Sequence, residues 1–527
     1  MPGLPHLFSK QKFDWFKKLS TIASQWHFVK GLIVQFLSII RIVGILVMCF
    51  SFTMLVPAFV ALIYGDGGGR AFLEAFLLNF SVGTLLWWFC RQHKYELRSR
   101  EGFLIVVLFW VVLGSLGAVP FILSEQPNLN FSESVFESFS GLTTTGATVI
   151  TGLDQLPKAI LFYRQFLQWL GGMGIIVLAV AIIPLLGIGG MQLYRAEMPG
   201  PLKEQKMRPR IAETAKALWL IYVILTVLCA LAYWLAGMSG FDAISHSFAT
   251  VAIGGFSTHD ASMGYFNSDM INYIAVFFLL ISSCNFALHF AFFDQFNGRY
   301  KGQAKRKFLG LYWRDYEFRF FIMVQLALFL ICFVTLWAYS YFDDSKMLLS
   351  QALFQSVSIS TTTGFITNDF SSWPSFLPLL LVLASFIGGC AGSTGGGLKM
   401  FRVLLLYLQG KREIHRFIHP NVIQPIKLGK HNLSERIVDG VWAFFSAYFF
   451  VFVVCWLATI ACGMETFDAL NAVIASMNNL GPAMGTISSN FVQVPDSAKW
   501  VLTFAMVCGR LEVFTLLVIL SPAFWKH

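Results

Sequence analysis

Ten continuous apolar runs divide this chain, near residues 42–64, 70–90, 102–124, 165–188, 212–236, 270–293, 317–340, 375–408, 438–462 and 499–521. A bilayer core of about 30 Å is crossed by about 20 helical residues, so each run is long enough to span. Because the runs are continuous and do not alternate apolar with polar residues, they predict an all-α integral membrane protein and exclude an outer-membrane barrel. The chain is 56% hydrophobic and 13% charged, whereas a soluble domain carries about 25% charged residues. A soluble globular domain, a disordered chain and a secreted disulfide scaffold are thereby excluded.

The charges test the span count. With the N-terminus placed inside and the runs alternating, 32 of the 38 Lys and Arg residues fall on inside segments. Five fall outside (Arg70, Lys158, Arg164, Lys346 and Lys499), and Arg510 lies within the last run. The net charge of +10 is therefore a positive-inside signature and no sign of nucleic-acid binding. Both termini are expected in the cytoplasm. The basic first 41 residues are expected to remain attached, because the stretch before the first run is too long for a secretory leader and no cleavage site follows it. The nine cysteines are odd in number, mostly within apolar runs and without a C-x-x-C. They are expected to be small packing residues.

Four shorter semi-apolar stretches remain, 131–143, 240–252, 349–361 and 466–478. Each is too short to span and is predicted to be a re-entrant helix on the outside. They end in Thr144-Thr145-Gly146-Ala147, Ile253-Gly254-Gly255-Phe256, Thr362-Thr363-Gly364-Phe365 and Asn479-Leu480-Gly481-Pro482. The glycines are spaced by 109, 109 and 117 residues, and thirteen before each stand Glu133, Asp242, Gln351 and Asp468. A carboxylate in the first turn favours the positive helix end, so the four carbonyl ends would converge toward the membrane centre, where they stabilise a cation. Glycine permits the turn that follows, and exposed backbone at this depth is tolerated where it lines water. The acidic outer loops would concentrate cations at the same face.

With these motifs in place, the chain resembles the Trk/Ktr/HKT superfamily of potassium transporters, and within it the TrkH/TrkG type of bacterial uptake subunit. The resemblance rests on GLTTTGATV (141–149), ATVAIGGFSTHD (249–260), SISTTTGFITNDF (358–370), GGCAGSTGGGLKMFR (388–402), MNNLGPAMG (477–485) and GRLEVFTLLVIL (509–520), and covers about 100–525. It implies a leading two-helix hairpin and four pseudo-repeated units of span, short helix, filter loop and span around one central pore. The segments are then 1–41 (cytoplasmic), 42–92 (hairpin), and repeats 93–195, 196–296, 297–410 and 411–527. It implies potassium binding by the filter residues Thr144, Thr145, Gly146, Ile253, Gly254, Gly255, Thr362, Thr363, Gly364, Asn479, Leu480 and Gly481. Plant relatives that pass sodium place serine at the first glycine; Gly146 implies potassium. It also implies a homodimer in the bacterial inner membrane on a cytosolic nucleotide-binding subunit of the TrkA type. NAD or ATP would then act only through that partner. The basic loops 297–319 and 398–436 are its expected docking surfaces.

The run 375–408 is interrupted by six glycines between 388 and 397, which no stable helix accommodates at about 1 kcal/mol each. By the repeat, Arg510 falls at the same depth. Gly392, Ser393, Thr394, Gly395, Gly396, Gly397 and Arg510 are therefore expected to form a gate beneath the filter, with loop carbonyls and Glu512 as partners of Arg510. Further breaks are expected at Gly171–Gly174 and Ser282–Asn285. His415 and His419, spaced for a metal, lie in a basic stretch without the carboxylate of H-E-x-x-H. They are not expected to bind one. His246 and His259 flank the second filter loop and are expected in the outer vestibule. Gly65–Gly69 reads as a turn of the hairpin. A rival reading as a polytopic membrane enzyme lacks membrane-level acids, bases or metal ligands; a sodium-permeable transporter of the same architecture is the nearer alternative.

Overall fold

The computed structural model describes residues 36–93, 99–177, 211–296, 310–420, 425–428 and 431–525. The first 35 residues, 178–210 and 297–309 lie outside these, and with them parts of the fourth apolar run and of the loop 297–319. In hydrocarbon every backbone group must find its partner within the protein, and the described apolar runs are accordingly built from helices. Among the described residues six helices are long and apolar enough to cross a membrane: Phe36–Tyr64, Gly69–Cys90, Gly102–Leu123, Ala215–Leu235, Tyr316–Ala338 and Glu435–Ala461. Only 22–39% of their apolar windows is buried against the protein. The remainder is partly or fully exposed, with Leu62, Phe89, Leu235 and Trp337 among the most exposed, as lipid-facing surface requires.

Three further runs are broken. Asp269–Ser282 and Phe286–Phe293 meet at 88°, and Asp496–Arg510 and Phe514–Leu520 at 111°. The run 375–408 is two helices, Leu377–Ala384 and Met400–Ile418, separated by non-helical backbone. The break expected at Gly171–Gly174 is absent: Lys158–Val177 is one helix. These glycines serve close packing instead. A methyl at Gly171 would overlap the Leu142 carbonyl, and one at Gly172 would lie 2.7 Å from the Tyr222 hydroxyl.

The leading hairpin is tightened by the same device, since the backbones cross where a methyl at Gly44 would come within 2.9 Å of the Gly83 carbonyl. Its turn does more than reverse the chain. Asp66 accepts a hydrogen bond from the Ala159 amide at 2.9 Å, fixing the hairpin to the start of Lys158–Val177. Among the described residues the β-structure is one two-residue ladder, Lys427–Leu428 with His431–Asn432.

Four short helices, Phe131–Leu142, Gly240–Ala252, Ser345–Ser360 and Thr466–Met477, are nested among the long ones. The first packs against Ser99–Gly117, Lys158–Val177 and Asp496–Arg510, and the second against Ile211–Leu235, Lys158–Val177 and Asp269–Ser282. The third lies against Tyr316–Ala338, Asp269–Ser282 and Leu377–Ala384. The second and third thus each touch a helix that precedes their own flanking pair in the chain, and the first touches Asp496–Arg510 near the end of the chain, so the arrangement closes on itself.

Candidate functional site

Each short helix is set by its ends. The first opens on a capping box: the Glu133 amide donates to Asn130 Oδ1 at 2.8 Å, and the Asn130 amide donates to Glu133 Oε2 at 3.1 Å. Ser239 Oγ caps the second at 3.1 Å and Asp344 Oδ1 the third at 2.9 Å. Glu133, Asp242 and Asp468 stand in first turns as expected. The third helix begins four residues earlier than predicted, which places Gln351 in its middle.

The C-terminal ends are nearly superimposable in their bonding. The amides of Thr145, Gly254, Thr363 and Leu480 each donate to the carbonyl five residues back, all at 2.8 Å. The residue before each, Thr144, Ile253, Thr362 or Asn479, takes a φ of 54°, 55°, 65° or 54°. That left-handed conformation costs a non-glycine residue roughly 1–2 kcal/mol. The glycines follow with φ of 81°, 76°, 82° and 89°. Alternating signs of φ along three residues turn successive peptide dipoles to one side.

The four loops meet in a closed cycle. A methyl at Gly146 would overlap the Gly254 carbonyl oxygen, one at Gly255 that of Thr363, and one at Gly364 that of Leu480. One at Gly481 would stand 2.7 Å from that of Thr145. Glycine is thus required twice at each position, by φ and by the adjoining loop. All four glycines line the same cavity of about 460 Å³, with Thr148, Arg164, Ser257, His259 and Asp369 among its other walls. All twelve sequence-predicted filter residues lie in these four loops.

Above the ring, each descending arm is tied back to its short helix through a threonine. Thr148 Oγ1 donates to Glu137 at 3.0 Å, and Thr258 Oγ1 to Asp242 at 2.8 Å. Thr367 donates to Gln351 and Thr486 to Asp468. In the first unit the acid that does this is Glu137, while Glu133 pairs with Lys499 at 3.0 Å. Glu137 also meets Arg164, Nε to Oε1 at 2.7 Å, with both side chains at most 1% exposed. Breaking such an enclosed pair costs about 3–5 kcal/mol. Behind the second loop, Gln168 donates to the Gly254 carbonyl and accepts from the Phe256 amide at 3.2 Å.

His259 reaches between two arms, pairing with Asp154 and lying 3.5 Å from Asp242. It is stacked on Tyr265 at 3.4 Å. Partial burial lowers its pKa, but hydrogen bonds to Asp242 and Asp154 outweigh this, and the net shift is upward. For Asp242 burial pulls upward, and bonds from His259, Ser239 and Thr258 hold its carboxyl below the usual range.

The glycine-rich backbone lies under the opposite side of the ring. The Gly396 amide donates to Thr362 Oγ1 at 2.7 Å, the Gly397 amide to the Asn478 carbonyl at 3.1 Å, and Thr394 Oγ1 to the Val251 carbonyl at 3.1 Å. It therefore touches the ends of three short helices. Arg510 Nη1 donates to the Thr394 carbonyl at 2.9 Å, while its Nε and Nη2 find no hydrogen-bond partner among the described residues. Lys399 Nζ donates to the carbonyls of Gly395 and Ser393, and the buried Glu317 accepts from the Ala391 amide at 2.6 Å. Gly392 accepts from the Phe286 amide at 3.2 Å, joining the loop to the bend expected at Ser282–Asn285. The expected Arg510–Glu512 partnership is corrected: Glu512 is bound by Arg402, Nη2 to Oε2 at 2.6 Å.

Residues 68–527 match the family described as TrkH, cation transport protein. The chain belongs to the TrkH family. Two relatives, both described as Trk system potassium uptake protein TrkH, come from Escherichia coli strain K12 and Vibrio parahaemolyticus. Each is 61% identical to this TrkH-family chain, covering 94% and 93% of it and 100% of the relative. The potassium uptake protein TrkG of Escherichia coli K12 is 38% identical, over 92% of this chain and 97% of its own. The crystal structure of the potassium transporter TrkH from Vibrio parahaemolyticus aligns with a TM-score of 0.85 at 58% identity, covering 93% of this chain and 100% of that one. The all-α membrane architecture is shared with it. Membership of a transport family sets aside the enzyme reading.

Glu137, Arg164, Gln168, Glu317 and Arg402 were not singled out from the sequence. Arg164 is legible there as one of five cations on an acidic face, and Glu137 as one of its acids, but their 27-residue separation gives no sign of pairing. His415 and His419 come together without a further ligand. Among the described residues no group of three His, Cys, Asp or Glu could hold a metal ion.

Proposed function

We propose that this chain takes up potassium across the bacterial inner membrane, through the ring closed by Gly146, Gly255, Gly364 and Gly481. The observation that carries this is the convergence of all four glycines on one cavity, each facing the carbonyl of the next loop. The carbonyls of Thr144, Thr145, Ile253, Gly254, Thr362, Thr363, Asn479 and Leu480, with those of the glycines, replace the hydration shell of the ion. The cavity above the ring is the outer vestibule, and both termini are cytoplasmic, by the positive-inside distribution. The names of the relatives, as potassium uptake proteins, support the choice of ion.

Residues 392–397 and Arg510 form the gate. They place a loop and a fixed cation directly beneath the ring, where a dehydrated potassium ion would leave it. The chain works as a homodimer with a cytosolic TrkA-type subunit, and nucleotide acts through that subunit. The reading is tested by rubidium and sodium uptake into proteoliposomes, beside Gly146→Ser. Rubidium uptake above sodium, with the preference reduced by the serine, is the expected result. Sodium uptake equal to or above rubidium in the native chain would overturn the potassium assignment in favour of a sodium-permeable pore.

A further inference from the structure

We propose that the enclosed Glu137–Arg164 pair is a positioning device that sets the cation preference of the ring by fixing the distance between its first and second loops. This rests on the reading of the ring as the ion path. Thr148 and Ser257 occupy the same register, two residues beyond Gly146 and Gly255. Arg164 holds both: Nη2 donates to Thr148 Oγ1 at 2.9 Å and Nη1 to the Ser257 carbonyl at 3.1 Å. Its third nitrogen, Nε, donates to Glu137. Glu137 Oε2 in turn accepts the Val149 amide at 2.9 Å. The guanidinium lies 4.3 Å from the ring centroid of Phe256, the residue after Gly255. One rigid planar fork therefore spans equivalent points of adjacent loops, a task that a lysine, with one point charge, cannot reproduce.

The pair also has a charge function. Arg164 lines the same cavity as the four glycines. A lone guanidinium in that wall would repel the incoming cation; Glu137 cancels it while leaving the donors in place. The other loops have no such device at the same register, where Ile366 and Ala483 stand. Ile366 is linked across to the second loop by neutral bonds alone, its carbonyl accepting from Gly264 at 3.2 Å and its amide donating to Ser262 at 3.3 Å.

The test is rubidium and sodium uptake by the full chain in proteoliposomes, for Glu137→Gln, Arg164→Lys, the double variant Glu137→Gln with Arg164→Gln, and Gly146→Ser. Glu137→Gln, which leaves an uncompensated guanidinium beside the vestibule, is expected to lower rubidium uptake at least tenfold. The double variant removes both charges, so it should regain uptake relative to Glu137→Gln while its rubidium-to-sodium ratio stays low. Arg164→Lys, with charge kept and the bridge lost, is expected to retain uptake with a severalfold lower ratio. A purely structural pair would lower thermal stability in these variants without moving the ratio. Native ratios in Arg164→Lys and in the double variant, with Gly146→Ser still reducing its own, would overturn the positioning role and leave the ring intact. A native ratio in Gly146→Ser would overturn the ring, and the positioning role with it.

Discussion

The ring and the glycine-rich loop beneath it are both irregular backbone, both rich in glycine, and in direct contact, yet they are held in opposite ways. Each ring loop is fastened to its own short helix by main-chain bonds repeated at 2.8 Å in all four units. The lower loop has no helix of its own. It is suspended from separate elements, by the side chains of Arg510, Glu317 and Thr362 and by single main-chain bonds at Phe286 and Asn478, with its own Lys399 closing on the carbonyls of Gly395 and Ser393. Main-chain bonds closed within one element break only when that element unfolds. Side-chain tethers from separate elements can be released one at a time. The first arrangement suits an unchanging aperture and the second a removable obstruction.

The contrast is broken most severely at the ring. Gly364→Ala puts a methyl onto the Leu480 carbonyl at a φ of 82°. Rubidium uptake should fall about 100-fold, equivalent to about 3 kcal/mol; near-native uptake would show that the loops are not closely packed. A smaller change of opposite sign is expected below. Arg510→Ala removes a tether and a fixed cation, and resting rubidium flux should rise roughly tenfold, a shift of about 1.4 kcal/mol toward the open form. Flux unchanged at normal protein levels would deny the loop its obstructing role. Glu317→Gln weakens one of several tethers, at about 1 kcal/mol, and resting flux should rise a few-fold, read in the same assay.

The weakest effect is a pH dependence confined to the vestibule. His259 has a raised pKa in the folded chain against 6.5 for the free side chain. Its contribution is therefore fully present below the free value and lost as pH rises through the folded one. Asp242, held low, contributes above its free value and loses that contribution only as pH falls through its own folded one. Because these groups are partly exposed, the melting temperature of the native chain should drift down by about 1–2 °C between pH 6 and 9. His259→Gln should flatten that drift; an unaltered slope would remove His259 from the linkage.

What the sequence revealed follows the same division. The ring was legible because its constraints are local and repeated: a short helix, a left-handed residue and a glycine leave their mark within some fifteen residues, four times over. The glycine-rich loop was legible as a break, since six glycines cannot form a helix, but its tethers were not. Arg510 and Glu512, two residues apart in sequence, invited pairing. The sharp bend after Arg510, with Glu512 at a φ of 54°, instead goes with Glu512 pairing to Arg402. Gly171–Gly174 misled for a related reason. Glycines that break a helix and glycines that admit a neighbour look alike until the neighbour, here Leu142 and Tyr222, is known.

The cycle of glycine-to-carbonyl contacts runs in one sense, from the first loop to the second, third and fourth and back to the first. Such a circuit has an upstream and a downstream. A side chain added at Gly255 presses on Thr363, not on Thr145, and the third loop must yield before the fourth is affected. Errors therefore travel one way around, and two substitutions in successive loops share a joint that two in opposite loops do not. Although one polypeptide encodes four different loops, they must drift together, each limited by the loop on one side and limiting the loop on the other.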